Sequence, residues 1–140
     1  MKISARNVFA GEVTSVTKGA VNAEVSLVLQ GGEAITAIIT NSSADSLELA
    51  KGKKAFVIVK ASEVMIGKGL ENAKLSARNI LAGKVVHLTT GAVNSEVVVS
   101  LPGGTEVVAS ITKASVQALE LKVGDKVSAV VKASNVLIGL

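Results

Sequence analysis

The sequence predicts an all-β protein with one short helix per repeat, arranged as two tandem OB-like five-stranded barrels. Three observations predict this. The chain of 140 residues is written twice. Its apolar content is dominated by Val, Ile, Leu and Ala, and the β-branched share favours strands. Within each copy, apolar segments are separated by turn signals, and one capped helical stretch falls between the third segment and the fourth.

The duplication needs no gap. Residues 2–68 lie over 74–140 at an offset of 72, with KISARNVFAG over KLSARNILAG and GAVNAEV (19–25) over GAVNSEV (91–97). QGG (30–32) lies over PGG (102–104), LEL (47–49) returns at 119–121, and VKASEVMIG (59–67) lies over VKASNVLIG (131–139). Solenoids normally need three or more shorter units. Two units of this length therefore read as a duplicated small domain: residues 1–68, a linker at 69–73, and residues 74–140. The joint Gly67-Lys68-Gly69-Leu70-Glu71-Asn72-Ala73 is too short to let the halves wander far. A unit of about 67 residues has a thin core and is marginal alone. The halves, or several chains, are therefore expected to share buried surface, and oligomerisation is expected.

The elements of one unit follow in order. The first strand runs from about Arg6 to Val16. Asn22 to Leu29 begins with polar and apolar residues in alternation, as a half-buried strand does. Gly31-Gly32 reads as a hairpin turn, and Ala34 to Ile39 as the return strand. Thr40 to Leu49 reads as a short helix with hydroxyl and amide side chains at its start and Gly52 after its end. Lys53 to Lys60 is a further strand, and Val64 to Ile66 a short last one. Five strands with a helix in this position is the order of a small OB-like barrel.

Composition limits the function. With no cysteine there are no disulfides, thiolate metal sites or cysteine nucleophile, which fits a reducing compartment. The start Met1-Lys2-Ile3-Ser4-Ala5-Arg6 carries no long apolar stretch of a secretory signal. No apolar run reaches the roughly 18 residues of a membrane span. A cytoplasmic setting is expected. The only histidine, His87, faces Ser15 in the other copy, so no Ser/His/Asp set can be doubled, and it reads as a surface residue on a strand. Glu12, Glu24, Glu33, Asp45 and Glu48 are dispersed, so no cation site is expected. Phosphate-cradling glycine loops are absent, and the glycines of Gly19-Ala20 and Gly31-Gly32 read as turn glycines. No catalytic residue, metal cation or cofactor is expected.

The formal charge of +4 fits either a plain soluble surface or an anionic partner. Single-strand nucleic-acid binders stack bases on aromatic platforms. This chain has two phenylalanines, Phe9 and Phe56, both in alternating apolar segments that read as core, and it has no Lys/Arg run. A small anion therefore ranks above nucleic acid. Apolar positions drift between the copies, as Ile3 against Leu75, while several polar positions do not. The unchanged ones include Ser4/Ser76, Arg6/Arg78, Asn7/Asn79, Asn22/Asn94, Glu24/Glu96, Thr40/Thr112, Lys60/Lys132 and Ser62/Ser134. Guanidinium and ammonium supply charge, and hydroxyls, amides and backbone N–H groups supply directed hydrogen bonds; together they suit an anion. The plain alternative is that Arg6 and Lys60 are solvated rim charges and that Ser4 and Asn7 satisfy strand ends.

SARN followed by an apolar run and Gly11, then GAVNAEV, then the Ile39-Thr40 start of a short helix, then VKAS, resembles the Mop domain of molbindins. The tandem copy resembles a di-Mop molbindin, and the resemblance covers both halves almost end to end. It implies an OB-like fold and cytoplasmic storage or buffering of molybdate, and of tungstate, without catalysis. It also implies a homotrimer, with no nucleic acid or membrane as partner. Two kinds of site follow from the resemblance. The main one lies between domains of different subunits and uses Ser4, Arg6, Lys60, Ala61 and Ser62, with Thr40 reaching in from a neighbour. Its second copy uses Ser76, Arg78, Lys132, Ala133, Ser134 and Thr112. The other kind lies on a threefold axis and uses Gly19, Ala20, Val21 and Asn22, or Gly91, Ala92, Val93 and Asn94. Many members carry Pro-Trp after Lys-Ala, whereas this chain has Ser62-Glu63 and Ser134-Asn135. Glu63 puts a negative charge near the first copy alone. Two rivals stay open on the sequence: a nucleic-acid-binding OB module, and an enzyme or regulatory subunit that senses molybdate.

Overall fold

The computed structural model describes residues 1–140. The first repeat forms β1 (Asn7–Lys18), β2 (Asn22–Leu29), β3 (Ala34–Thr40), α1 (Asn41–Ser46), β4 (Lys54–Val59) and β5 (Met65–Gly67). The second forms β6 (Asn79–Thr90), β7 (Asn94–Ser100), β8 (Glu106–Thr112), α2 (Lys113–Ala118), β9 (Lys126–Val131) and β10 (Leu137–Gly139). A 3-10 turn precedes the last strand of each, at Ala61–Glu63 and Ala133–Asn135. The two five-stranded sheets and two short helices agree with the predicted class.

The last strand of each repeat goes elsewhere than its own sheet. The sheet orders are β10-β4-β1-β2-β3 and β5-β9-β6-β7-β8, all antiparallel. Leu137 pairs with Ile58 and Met65 pairs with Val130, so the repeats exchange their closing strands. Hydrophobic alternation reports which face of a strand is buried, and it does not report which edge the strand joins. The exchange is reciprocal, as expected for a pseudo-twofold relation between like units. One core results. Val13, Val25, Leu27, Val57 and Val64 join Val85, Val97, Val99 and Val136 in a single buried cluster.

Two turns meet where the repeats face each other. Gly32 and Gly104 carry the positive φ values, +94° and +93°, that let the hairpins close. Their neighbours Gly31 and Gly103 have a different task. A Cβ on Gly103 would stand 1.9 Å from the carbonyl oxygen of Gly31, while the nearest atoms to one on Gly31 are the movable side-chain oxygens of Thr105 and Glu33, at 2.5 and 2.6 Å. Gly103→Ala should therefore lower the thermal midpoint well below that of Gly31→Ala, although the two positions are equivalent in the repeats. Equal midpoints would mean that the backbone turns separate without strain.

The helix ends carry one feature beyond the sequence expectation. Gly52 follows α1 with a positive φ of 93°, as expected, but the left-handed residue that closes the helix itself is Glu48 (φ 52°), and Glu120 (φ 49°) matches it after α2. Glu48 N–H bonds to the Asp45 carbonyl and Leu49 N–H to the Ala44 carbonyl, each at 3.0 Å, a pattern that closes a helix with a residue in the left-handed region. Glu48→Gly and Glu120→Gly should each raise stability by about 0.5–1 kcal/mol in urea unfolding, by removing a Cβ from that region. Phe56 also departs from the expected core position: it is exposed on the outer face of β4, whereas Phe9 packs partly buried against the core. No helix is long and apolar enough to cross a membrane.

Candidate functional site

The candidate residues sit where the first and fourth strands of each repeat run out of ladder. The last β1–β4 pair is Asn7 with Val59, and the last β6–β9 pair is Asn79 with Val131. The next residues outward are Arg6 and Lys60, or Arg78 and Lys132. Side chains alternate across a strand, and Asn7 and Val59 point into the core, so Arg6 and Lys60 come together on the outer side. The chain then turns through the 3-10 segment, which brings Ala61 and Ser62, or Ala133 and Ser134, beside them. None of the turn, loop and cap hydrogen bonds is donated by the amides of these four residues.

In the second repeat these groups line one groove of about 460 Å³, in which Ser76, Arg78, Lys132, Ala133 and Ser134 meet the apolar side chains of Ile38, Met65 and Leu70. Ile38 belongs to the first repeat, so the groove is built from both. Ser4, Arg6, Lys60 and Ser62 occupy equivalent, exposed positions in the first repeat.

Each arginine crosses to the other repeat. Arg6 donates to both carboxylate oxygens of Glu96, at 2.7 and 3.0 Å, and Arg78 to both of Glu24, at 3.1 and 2.7 Å. The hydrogen bond from Arg78, and then its charge, holds the Glu24 carboxyl below the usual range; the hydrogen bond from Arg6 does the same for Glu96. Both arginines are raised by these hydrogen bonds. Lys60 and Lys132 form no ion pair with a carboxylate. Each candidate site thus combines a charge-offset guanidinium with an unpaired ammonium.

The asparagines of SARN have a structural task. The Asn7 amide bonds to both Val108 backbone groups on β8, and the Asn79 amide to both Thr36 groups on β3. They pair with the free edge of the other repeat's third strand as a peptide would. The plain alternative that Asn7 satisfies strand ends therefore holds for the asparagine, and the strand it serves lies in the other repeat. The available signal was parity: each falls on the core-facing side of its strand.

Thr40 and Thr112 line no groove with the arginines and lysines. Each caps its helix, accepting from Ser43 N–H or Ser115 N–H at 3.0 Å. Thr40 stands opposite Asn22, and Ile38 opposite Glu24, on the outer face of β2 and β3. Thr40 of the first repeat therefore shares a sheet face with the groove of Arg78 and Lys132. The turns Gly19–Asn22 and Gly91–Asn94 form tight loops at this end. Gly19 N–H donates to the Asn22 carbonyl at 2.7 Å, and Gly91 N–H to that of Asn94 at 2.9 Å. Val21 and Val93 project from their tips, 70% and 74% exposed. His87 lies exposed on β6, next to an irregularity in its pairing with β7.

Comparison with known proteins places this geometry. The TOBE domain matches twice, over residues 3–66 and 75–138. The chain belongs to the TOBE-domain family. A solved structure of the cytoplasmic molybdate-binding protein ModG, with molybdate bound, is 51% identical and superposes with a TM-score of 0.96, covering 100% of this chain and 99% of that one. Among curated relatives, the molybdenum transport protein ModE of Azotobacter vinelandii is 44% identical and the molybdenum-pterin-binding protein MopA of Rhodobacter capsulatus 42% identical, each over all 140 residues. The two TOBE repeats span about half the length of these curated relatives, 52% and 53%.

Proposed function

We propose that the protein binds molybdate in the cytoplasm without converting it, and that it stores and buffers this oxyanion, taking tungstate as well. The observation that carries the reading is the groove of the second repeat, which gathers Ser76, Arg78, Lys132, Ala133 and Ser134. Its donors match a tetrahedral dianion: a guanidinium and an ammonium for charge, hydroxyls and free amides for direction. The end-to-end likeness to molybdate-bound ModG supports the choice of anion. The first repeat offers the same set in Ser4, Arg6, Lys60, Ala61 and Ser62.

The sites are completed in a homotrimer. Thr40 and Thr112 cap helices and line no groove with the arginines and lysines of their own chain; in the trimer they reach a site from a neighbouring subunit, as the likeness to molbindins implies. The turns Gly19–Asn22 and Gly91–Asn94, whose valine tips are 70% and 74% exposed, form the second kind of site about the threefold axis. A single-stranded nucleic acid fits less well. Phe56 is exposed, while Phe9 is partly buried against the core, so no row of exposed aromatics offers bases a platform.

Titration calorimetry with molybdate, with sulfate as control and the assembly mass measured on the same sample, tests this. Saturable molybdate heat with little from sulfate is expected, on a trimer. No molybdate binding would overturn the function, and a stable monomer at micromolar concentration would overturn the shared sites. The two repeats should also differ. Glu63 lies on the 3-10 turn beside Ser62, where Asn135 is neutral. Two affinity classes are expected, the weaker belonging to the first repeat, and Glu63→Asn should strengthen it about two- to fivefold. An unchanged isotherm for Glu63→Asn would show that this charge is fully screened.

A further inference from the structure

Each candidate arginine already carries a carboxylate. Arg78 grips Glu24 with both prongs, and Arg6 grips Glu96. A two-pronged bond uses two of a guanidinium's five N–H donors, so three stay free for an oxyanion. The charge is another matter, because the glutamate offsets it and leaves Lys132, or Lys60, as the uncompensated cation. Glu24 also stands opposite Ile38, which lines the groove. Its carboxylate therefore lies at the wall of the site that its partner serves.

Resting on the oxyanion reading above, we infer that Glu24 and Glu96 are specificity-determining residues that hold down the charge of the sites across the repeat boundary. Glu24 of the first repeat weakens the grip of the second repeat's site on a dianion, and Glu96 does so for the first repeat's site. A carboxylate serving only to position the arginine would have the opposite effect when lost. Positioning is supplied elsewhere. Asn79, the residue after Arg78, is 2% exposed and fixed by two hydrogen bonds of 2.8 Å to Thr36. Asn7 anchors Arg6 likewise to Val108, at 2.8 and 2.7 Å. With the backbone held there, removal of the carboxylate charge mainly relieves its repulsion of the bound anion. That repulsion grows with the anion's charge, so Glu24 and Glu96 tune the choice between dianions and monoanions of like shape.

The test is the full chain carrying Glu24→Gln and Glu96→Gln, which keeps the side-chain shape and one acceptor oxygen. It is titrated at low ionic strength with molybdate and with perrhenate, a tetrahedral monoanion. Molybdate affinity should rise about five- to tenfold and perrhenate affinity only about two- to threefold, as expected for one charge removed some 6–7 Å away in water. Molybdate affinity that is unchanged or lower, or equal gains for both anions, would overturn the inference. Should the double variant not fold, E24Q and E96Q singly carry the same expectation for half of the sites. Wild-type protein that binds no molybdate overturns the functional reading itself. Wild-type binding with an unaltered variant overturns this inference alone.

Discussion

Asn7→Ala and Asn79→Ala should each cost about 2–4 kcal/mol of stability, a large part of the 5–15 kcal/mol typical of a small protein. Both amides are buried, at 0% and 2% exposure. Asn7 donates to the Val108 carbonyl at 2.8 Å and accepts from its N–H at 2.7 Å. Alanine leaves both backbone groups unpaired in a partly buried place, at roughly 1–3 kcal/mol for each group, and leaves a cavity as well. The two sites couple, because Asn7 and Asn79 line one small cavity with Phe9, Val64 and Val136, so the double variant should depart from additivity. Asn7→Leu separates the contributions: it refills the volume without the hydrogen bonds and should recover only the cavity part. Urea unfolding with an unchanged slope measures each variant. Losses below about 1 kcal/mol for both single alanine variants would mean that water replaces the amides at the strand edges and that the repeats are joined by the shared core and exchanged strands alone.

Much of this architecture was legible in the sequence because it is local. Strand alternation, turn glycines and the threonine caps depend on neighbours along the chain, and β1 to β4 and the helix fall within a few residues of where those signals put them. The exchange of β5 and β10 was not legible. Leu137-Ile138-Gly139 reads the same whether it closes its own sheet or pairs with Val57 and Phe56. Glu48 in the left-handed region was hidden for a different reason: Gly52, four residues later, takes positive φ as a glycine should, and nothing in a glutamate signals that it does so too. The candidate site was half legible. Its cations and hydroxyls stood out as unchanged between repeats, and strand ends then bring them together. The glutamates on the arginines were visible as repeated residues, but a search for anion chemistry gives carboxylates no role. Only the fold shows that each belongs to the arginine of the opposite repeat.

Arg6→Ala with Arg78→Ala should weaken molybdate binding at the main sites on the order of 100-fold and leave the fold intact. The binding loss follows from removing directed donors to a charged ligand, each worth about a tenfold factor or more. The fold is spared because the arginines are half exposed and their bridges are surface pairs, which contribute little to stability. Calorimetry and a thermal melt on one sample measure both; unchanged molybdate stoichiometry and affinity would remove the arginines from the site. Loss of the arginine also strands a glutamate at the groove wall, so the variant subtracts charge as well as donors. Adding Glu24→Ala and Glu96→Ala separates the two effects, since it restores the net charge and leaves the donors missing. Binding should stay more than tenfold below wild type in this quadruple variant, because a tetrahedral anion is held by hydrogen bonds aimed at its oxygens and a diffuse positive charge does not replace them. Recovery to the wild-type affinity would assign the arginines to charge alone, and with it the task of orienting the anion to Ser4, Ser62, Ser76, Ser134 and the free amides beside them.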